Sequence, residues 1–208
     1  MIPLERREIS KRTARTFDGA SRDFDSARPG PWPSIKELGS LRGKRVLDLG
    51  AGTGRNSEYL LDRGAAVVAA DISMGMLNVL GRKIGMEQGI SLVMCDAMSL
   101  PFRDSMFDAV AVIAALHHIP DAEGRRGALE EVYRVTVKGG VVLITVWAPR
   151  ELPRGARPAD SGGGSVKDIY VPWANEGERY YHMFSADELR LLMEDAGLSV
   201  MRLYHEQV

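Results

Sequence analysis

The sequence predicts an α/β fold with a doubly wound, mostly parallel sheet, and three observations carry that prediction. Five short, near-continuous apolar runs recur between residues 44 and 147, separated by helical patterns. Runs of that kind fit strands buried on both faces. A glycine-rich turn, Gly50-Ala51-Gly52-Thr53-Gly54, follows the first run at a strand-to-helix junction, and acids close the second and third runs at Asp71 and Asp96.

In chain order, strands are expected at 44–49 (KRVLDL), 65–70 (AAVVAA), 90–94 (ISLVM), 107–113 (FDAVAVI) and 141–147 (VVLITVW). Helices are expected at about 55–63, 74–87 and 122–136. In the last, Ala128, Leu129, Val132 and Val135 share a face, and Gly139-Gly140 are expected to stop it. This alternation means βαβ units with right-handed crossovers. Ser185 and Glu188 have the spacing of a capping box for a helix over 185–197, with Gly197 ending it before a sixth strand at 198–205. The whole is expected to form one domain over residues 1–208. Its parts are a helical cap (1–43, bent at Pro29, Pro31 and Pro33), a core (44–147), an insertion (148–184) and a C-terminal helix and strand (185–208). Residues 149–180 are too long for an ordinary connection and are read as a functional or mobile loop.

Composition excludes several classes. Of 208 residues, 45% are hydrophobic and 26% charged, which is ordinary for a globular chain and wrong for a disordered one. No apolar run reaches the ~18–20 residues of a membrane-spanning helix, and MIPLERREISKR lacks the apolar stretch of a secretory signal. Cys95 is the only cysteine, which leaves no intrachain disulfide and no cysteine-based zinc site. A cytoplasmic location is the expectation. The net charge of -1 hides an asymmetry: residues 1–45 hold 11 Lys/Arg against 6 Asp/Glu, and residues 151–208 hold 6 against 10. The basic N-terminal arm is where an anionic partner is expected.

The acids sharpen the meaning of the glycine turn. Asp71 lies 17 residues after Gly54, where a strand-ending carboxylate accepts ribose hydroxyls. Asp96 is placed to meet an adenine edge. Asp48, just before the glycines, is suited to ordering their loop or binding an ammonium group. A dinucleotide site favours GxGxxG with a pyrophosphate on the helix N-terminus, but here the third glycine comes one residue early. Three acids, with only Arg55 as a nearby base, suit a cofactor without phosphates, such as S-adenosyl-L-methionine.

VLDLGAGTG, Asp71, CDAMSLPFRDSMFDAV and the strand that closes near Lys138-Gly139-Gly140 together resemble the class I S-adenosylmethionine-dependent methyltransferases, over about residues 44–147. The resemblance implies a Rossmann-like methyltransferase sheet. It also implies a cofactor site made of Asp48, Gly50, Ala51, Gly52, Gly54, Asn56, Asp71, Ile72, Asp96, Ala97 and Ala114.

The flanks are similar to one branch, the tRNA wobble-uridine methyltransferases that esterify 5-carboxymethyluridine. The matching segments are Phe17-Asp18-Gly19-Ala20-Ser21-Arg22-Asp23-Phe24, Ser26-Ala27-Arg28 with Pro31-Trp32-Pro33, Ala115-Leu116-His117-His118 and Arg125-Arg126 with Ala128-Leu129. Val146-Trp147-Ala148, Val171-Pro172-Trp173 and Arg179-Tyr180-Tyr181-His182-Met183-Phe184 complete the match. The resemblance implies tRNA as substrate and a small zinc-containing activator protein as partner. Two departures stand out: Phe17 replaces the family's tyrosine, and the chain reaches Val208 without the family's seventh strand. A missing seventh strand would expose a sheet edge, so the expectation is either that the chain is a fragment or that another protein covers that edge.

A carboxylate acceptor is already ionised at neutral pH and needs orienting donors, not a base. Arg28, His117, His118, Arg179 and Tyr181 are the candidate donors. A phenol or amine acceptor needs a base, for which His117 or Asp25 is best placed. Trp32, Arg125, Arg126 and His182 complete the expected substrate surface. No metal is expected, since the adjacent His117-His118 side chains splay apart. Two alternatives stay open: a stand-alone small-molecule O- or C-methyltransferase, and a non-catalytic nucleotide- or cofactor-binding protein.

Overall fold

A computed structural model describes residues 4–21, 30–85, 89–148, 152–159, 167–173 and 177–206. Five strands form the main sheet: β1 (Arg45–Leu49), β2 (Ala66–Asp71), β3 (Ile90–Met94), β4 (Phe107–Ile113) and β5 (Thr136–Thr145). Their order is β3-β2-β1-β4-β5, and every neighbouring pair is parallel. The strand order reverses between β1 and β4. In an open α/β sheet that reversal leaves a crevice outside the strands' carboxyl ends.

The helices are α1 (Leu4–Ala20), α2 (Arg55–Asp62), α3 (Met74–Ile84), α4 (Ala122–Val135) and α5 (Ala186–Asp195). Strand alternation distributes the core to both faces of the sheet. Val110 and Val112 of β4 join Leu47 and Leu49 of β1 against Leu129 and Val132 of α4 and Leu189 of α5. The intervening Ala109, Ala111 and Ile113 face the other cluster, with Val46, Leu60 of α2 and Leu80 of α3. A 3-10 turn at Pro33–Leu38 seals that second cluster with Ile35 and Leu38.

Several expectations need correction. Helix α4 ends at Val135, and Gly139-Gly140 fall inside β5, which starts at Thr136 and carries an irregularity opposite Phe107–Ala109. Thr136 already has an extended backbone, and its Oγ1 donates back to the Val132 carbonyl at 2.6 Å. Ser185 does cap α5, accepting from Glu188 N, but the Glu188 carboxylate does not close the capping box. It turns to His182 and Lys167 instead. No sixth strand forms at 198–205. Among the described residues no strand lies beside the outer edge of β5, and without a ladder partner the segment runs as coil, with Met201 92% exposed.

The long insertion is not a plain loop. Arg157–Pro158 (β6), Asp168–Pro172 (β7) and Glu178–His182 (β8) make a three-stranded antiparallel sheet. Helix α1 packs against β8, and Thr16 Oγ1 donates to the Glu178 carbonyl at 3.3 Å.

Candidate active site

The first end of the crevice is built by backbone. After β1 the chain turns through Gly50 and Gly54, both at positive φ (77° and 89°). A Cβ on Gly50 would lie 2.4 Å from the Ala115 Cβ, and one on Gly54 would lie 2.5 Å from Leu80. The turn therefore presses against the end of β4 and against α3, which only glycine permits. Across it, Asp71 accepts from Gly52 N (2.8 Å) and Ser73 N (2.9 Å), one bond to each oxygen. Burial raises the Asp71 pKa, opposed by the Ser73 and Gly52 donors. Asp96 accepts from Met98 N at 2.9 Å through Oδ1.

Asp48 lies beneath this turn and is 1% exposed. Ser57 Oγ donates to its Oδ2 at 2.6 Å, while Oδ1 has no partner among the described residues. Burial outweighs the Ser57 bond and pushes the Asp48 pKa up to about 6.

Helix α1 is tied to the same place by one side chain. Asp18 Oδ1 accepts from Ser73 Oγ (2.5 Å) and Gly75 N (2.8 Å). Ser73 caps α3 and also donates its N–H to Asp71. The N-terminal helix and the Asp71 carboxylate thus share one residue between them.

The second end is aromatic. His117 and His118 sit in a 3-10 turn, Leu116–His118, just beyond β4. Tyr181 of β8 stacks on His117 (centroids 4.9 Å, 14°) and meets His118 edge-on at 4.5 Å. Trp147 and Phe17 pack edge-on against Tyr181 and His118 at 4.8 and 5.0 Å. The Arg179 guanidinium lies 3.9 Å over the Trp173 ring and 5.2 Å from that of Tyr181. The two histidines hold opposite tautomers when neutral. Trp147 N donates to His117 Nδ1 (3.0 Å), which places the His117 proton on Nε2; His118 donates from Nδ1 to the Tyr180 carbonyl (2.8 Å).

One cavity of about 1210 Å³ joins the two ends. Of the residues expected from sequence, Trp32, Gly50, Ala51, Gly52, Asn56, Asp71, Ile72, Asp96, Ala97, Ala114, His117, His118, Arg179 and Tyr181 line it. Asp48 and Gly54 stand behind that lining. Arg126 is exposed and pairs with Glu130 at 3.7 Å. Arg125 and His182 are buried away from the cavity, Arg125 donating to the Ile119 carbonyl (3.1 Å) and His182 held by carboxylates. Asp25 and Arg28 lie outside the described residues. Asp18, Trp147 and Trp173 also belong to the site, and all three stand in the motifs quoted above.

The cavity fits the expected cofactor. Asp71 and Asp96 each keep acceptor capacity beyond their backbone bonds, as ribose hydroxyls and an adenine amino group require. Trp32 Nε1 on the lining is a buried donor with no acceptor among the described residues. Trp32 N donates to Asn56 Oδ1 at 3.0 Å, and Arg55 lies 5.0 Å from the indole. Among the described residues this leaves one cation beside the turn and no cluster suited to a pyrophosphate.

The family described as "Methyltransferase domain" matches residues 47–144. A methyltransferase-family protein of Encephalitozoon cuniculi (strain GB-M1) is 32% identical over 192 residues, covering 90% of this chain and 87% of its own length. The tRNA (carboxymethyluridine(34)-5-O)-methyltransferase alkbh8 of Xenopus tropicalis is 36% identical over 262 residues, covering 98% of this chain, which spans 40% of that relative. A demethylmenaquinone methyltransferase of Thermobifida fusca (strain YX) is 36% identical over 164 residues, covering 77% of this chain and 66% of its own length. Among solved structures, the methyltransferase bound to the Trm112 activator of Haloferax volcanii shares the fold. Its TM-score is 0.69 at 21% identity, over 89% of this chain and 75% of that one.

Fold, acids and glycine turn together define a transferase that uses S-adenosylmethionine. The chain belongs to the class I S-adenosylmethionine-dependent methyltransferases.

Proposed function

We propose that this chain methylates the carboxylate of a 5-carboxymethyl group on a tRNA wobble uridine, giving the methyl ester. The observation that carries the reading is the His117 tautomer. With Nδ1 accepting from Trp147 N, the neutral ring carries its proton on Nε2, a donor tautomer that suits an anionic acceptor and not proton removal. Tyr181 and the Arg179 guanidinium beside it add polar, planar groups for a carboxylate and a flat base.

Bound S-adenosylmethionine supplies an electrophilic methyl group on a sulfonium. The residues of this chain provide position. Asp71 and Asp96 fix the nucleoside end, and His117 and Arg179 orient the acceptor oxygen; Arg28, from the resemblance, joins them. Restricting two reactants to an in-line approach supplies much of the acceleration in a displacement of this kind. No general base is required, because the acceptor enters ionised.

The Xenopus tropicalis relative named for carboxymethyluridine supports this reading through the breadth of its similarity, which covers 98% of this chain and so takes in α1 and the β7–β8 hairpin. The similarity to the demethylmenaquinone enzyme covers less of the chain. A small activator protein covering the free edge of β5, where Val141 is exposed, completes the proposal and accords with a cytoplasmic enzyme. No helix among the described residues is long and apolar enough to cross a membrane.

The test is incubation with labelled S-adenosylmethionine, with and without the candidate activator, against bulk tRNA and against extracted quinones and metabolites. Label recovered as a base-labile ester on a wobble nucleoside is expected. Label confined to quinones or small molecules overturns the tRNA reading, and no transfer to any fraction points to a binding protein.

A further inference from the structure

The face of β8 turned away from the cavity carries a buried charge network with no part in the scheme above. His182 is 3% exposed, and carboxylates meet both of its ring nitrogens. Asp168 Oδ1 of β7 lies 2.7 Å from Nδ1, and Glu188 Oε1 of α5 lies 2.7 Å from Nε2. A neutral imidazole has one N–H, so one of these contacts would set a lone pair against a carboxylate oxygen. An imidazolium donates in both directions. The surrounding groups close the balance. Tyr180 of β8 donates its hydroxyl to Asp168, and Arg125 of α4 reaches the Tyr180 hydroxyl at 3.4 Å. Lys167, ahead of β7, pairs with Glu188 at 3.0 Å, and Phe184 sets its ring edge-on to His182 at 4.6 Å. Arg125 and protonated His182 offset Asp168 and Glu188 in the buried part, and Lys167 adds a third cation on Glu188 at the exposed rim.

We propose that His182 is an imidazolium clamp and a positioning residue: it locks β8 between β7 and α5 so that the opposite face of the strand presents Tyr181 and Arg179 to the cavity and the Tyr180 carbonyl to His118. Strand alternation makes this a direct coupling. Arg179 and Tyr181 point one way along β8, and Tyr180 and His182 the other. The register of the clamped side therefore sets the ring stacked on His117 and the carbonyl that fixes the His118 tautomer. Burial works against both carboxylates, yet both stay below their usual range because His182, with Tyr180 or Lys167, outweighs it. Removing the imidazolium leaves Asp168 and Glu188 with only Arg125 and the half-exposed Lys167 and takes away the one donor that reaches both carboxylates, which favours a shift of β8 or protonation of a carboxylate.

Two measurements test the clamp, and only the second rests on the tRNA reading. Ring-nitrogen NMR of the intact protein at pH 7 is expected to show both His182 nitrogens protonated; one unprotonated nitrogen overturns the clamp whatever the substrate. In the labelled-tRNA assay, His182→Gln is expected to lower kcat by ~10- to 100-fold, as displacement of aligned groups does, with the KM for S-adenosylmethionine unchanged. The double variant His182→Gln/Glu188→Gln, which restores charge balance, is expected to recover most of that loss. Unchanged kcat in a folded His182→Gln, or no recovery in the folded double variant, removes the positioning role. Absence of transfer by the unaltered protein instead removes the proposed function and leaves the NMR result standing.

Discussion

Trp147 N donates to His117 Nδ1 at 3.0 Å, while the Tyr181 ring stacks on the same imidazole at 4.9 Å between centroids. A backbone donor and a stacked ring fix both the orientation of His117 and the place of its proton. If the acceptor is a carboxylate oriented by Nε2–H, His117→Ala should cut kcat by about 10²-fold, the cost of losing one preorganised donor. Cofactor affinity should stay the same. The kcat of the unaltered enzyme should be flat from about pH 6 to 8, since no base must lose a proton. A rising limb near pH 7 that disappears in His117→Ala would assign a base to this position and contradict the donor role.

Asp71 carries its two backbone bonds from Gly52 and Ser73 and faces the same cavity as Asp96. Asp71→Ala should weaken binding of S-adenosylhomocysteine by at least about 10²-fold in calorimetry, the loss of charge-assisted bonds to two hydroxyls. His117→Ala provides the contrast. Equal loss of cofactor affinity in both variants would mean that the division of the cavity into a cofactor end and an acceptor end is wrong.

Asp18 offers a more indirect test. Its carboxylate holds Ser73 Oγ and Gly75 N, and Ser73 in turn holds Asp71. Asp18→Ala should cost about 1 kcal/mol in unfolding, the usual scale for a lost helix cap, and should also weaken cofactor binding several-fold. A variant with lower Tm and unchanged affinity would confine Asp18 to packing. From sequence, Asp18 was one acid in a basic arm. Its role depends on α1 crossing to the start of α3, and local pattern does not encode that long-range contact.

The legible and illegible parts of this chain divide along that line. The five core strands and the cofactor turn were readable because both are local: apolar runs of about five residues, and glycines where the backbone must pass close. The β7–β8 hairpin was hidden because each strand is five residues long and the neighbouring glycines point to a loop. Arg125 and His182 have the residue types of an anion site, and only burial reveals that they serve each other's counterions. The C-terminal segment has strand-like composition, yet β formation needs a partner that local sequence cannot supply.

Asp48 gives a pH dependence with a definite sign. Burial lifts its folded-state pKa to about 6, above the unfolded value of roughly 3.9. A raised folded pKa means that the folded protein binds the proton more tightly. Its contribution to stability is therefore fully present below about pH 4 and lost as pH rises through 6. At pH 7.5 the carboxylate is buried and charged, with no partner for Oδ1 among the described residues. Asp48→Asn, which keeps an acceptor for Ser57, should then stabilise the cofactor-free protein by on the order of 2 kcal/mol. In denaturant titrations that advantage should shrink steadily toward pH 4. A difference that does not vary with pH would show that Asp48 is not the titrating group.

Two glycines separate geometric need from mere occurrence. A Cβ on Gly50 would sit 2.4 Å from that of Ala115, and its φ of 77° disfavours any side chain. Gly127, inside α4, has open space where a Cβ would go and ordinary helical backbone. Gly50→Ala should thus disrupt the turn and abolish cofactor binding. Gly127→Ala should raise stability by up to about 1 kcal/mol, because alanine loses less backbone entropy in a helix. Thermal melts and calorimetry on the pair check both directions at once. If Gly50→Ala binds S-adenosylhomocysteine as well as the unaltered chain, the turn is not pressed against β4, and the close approach that shapes the cofactor end of the cavity is not there.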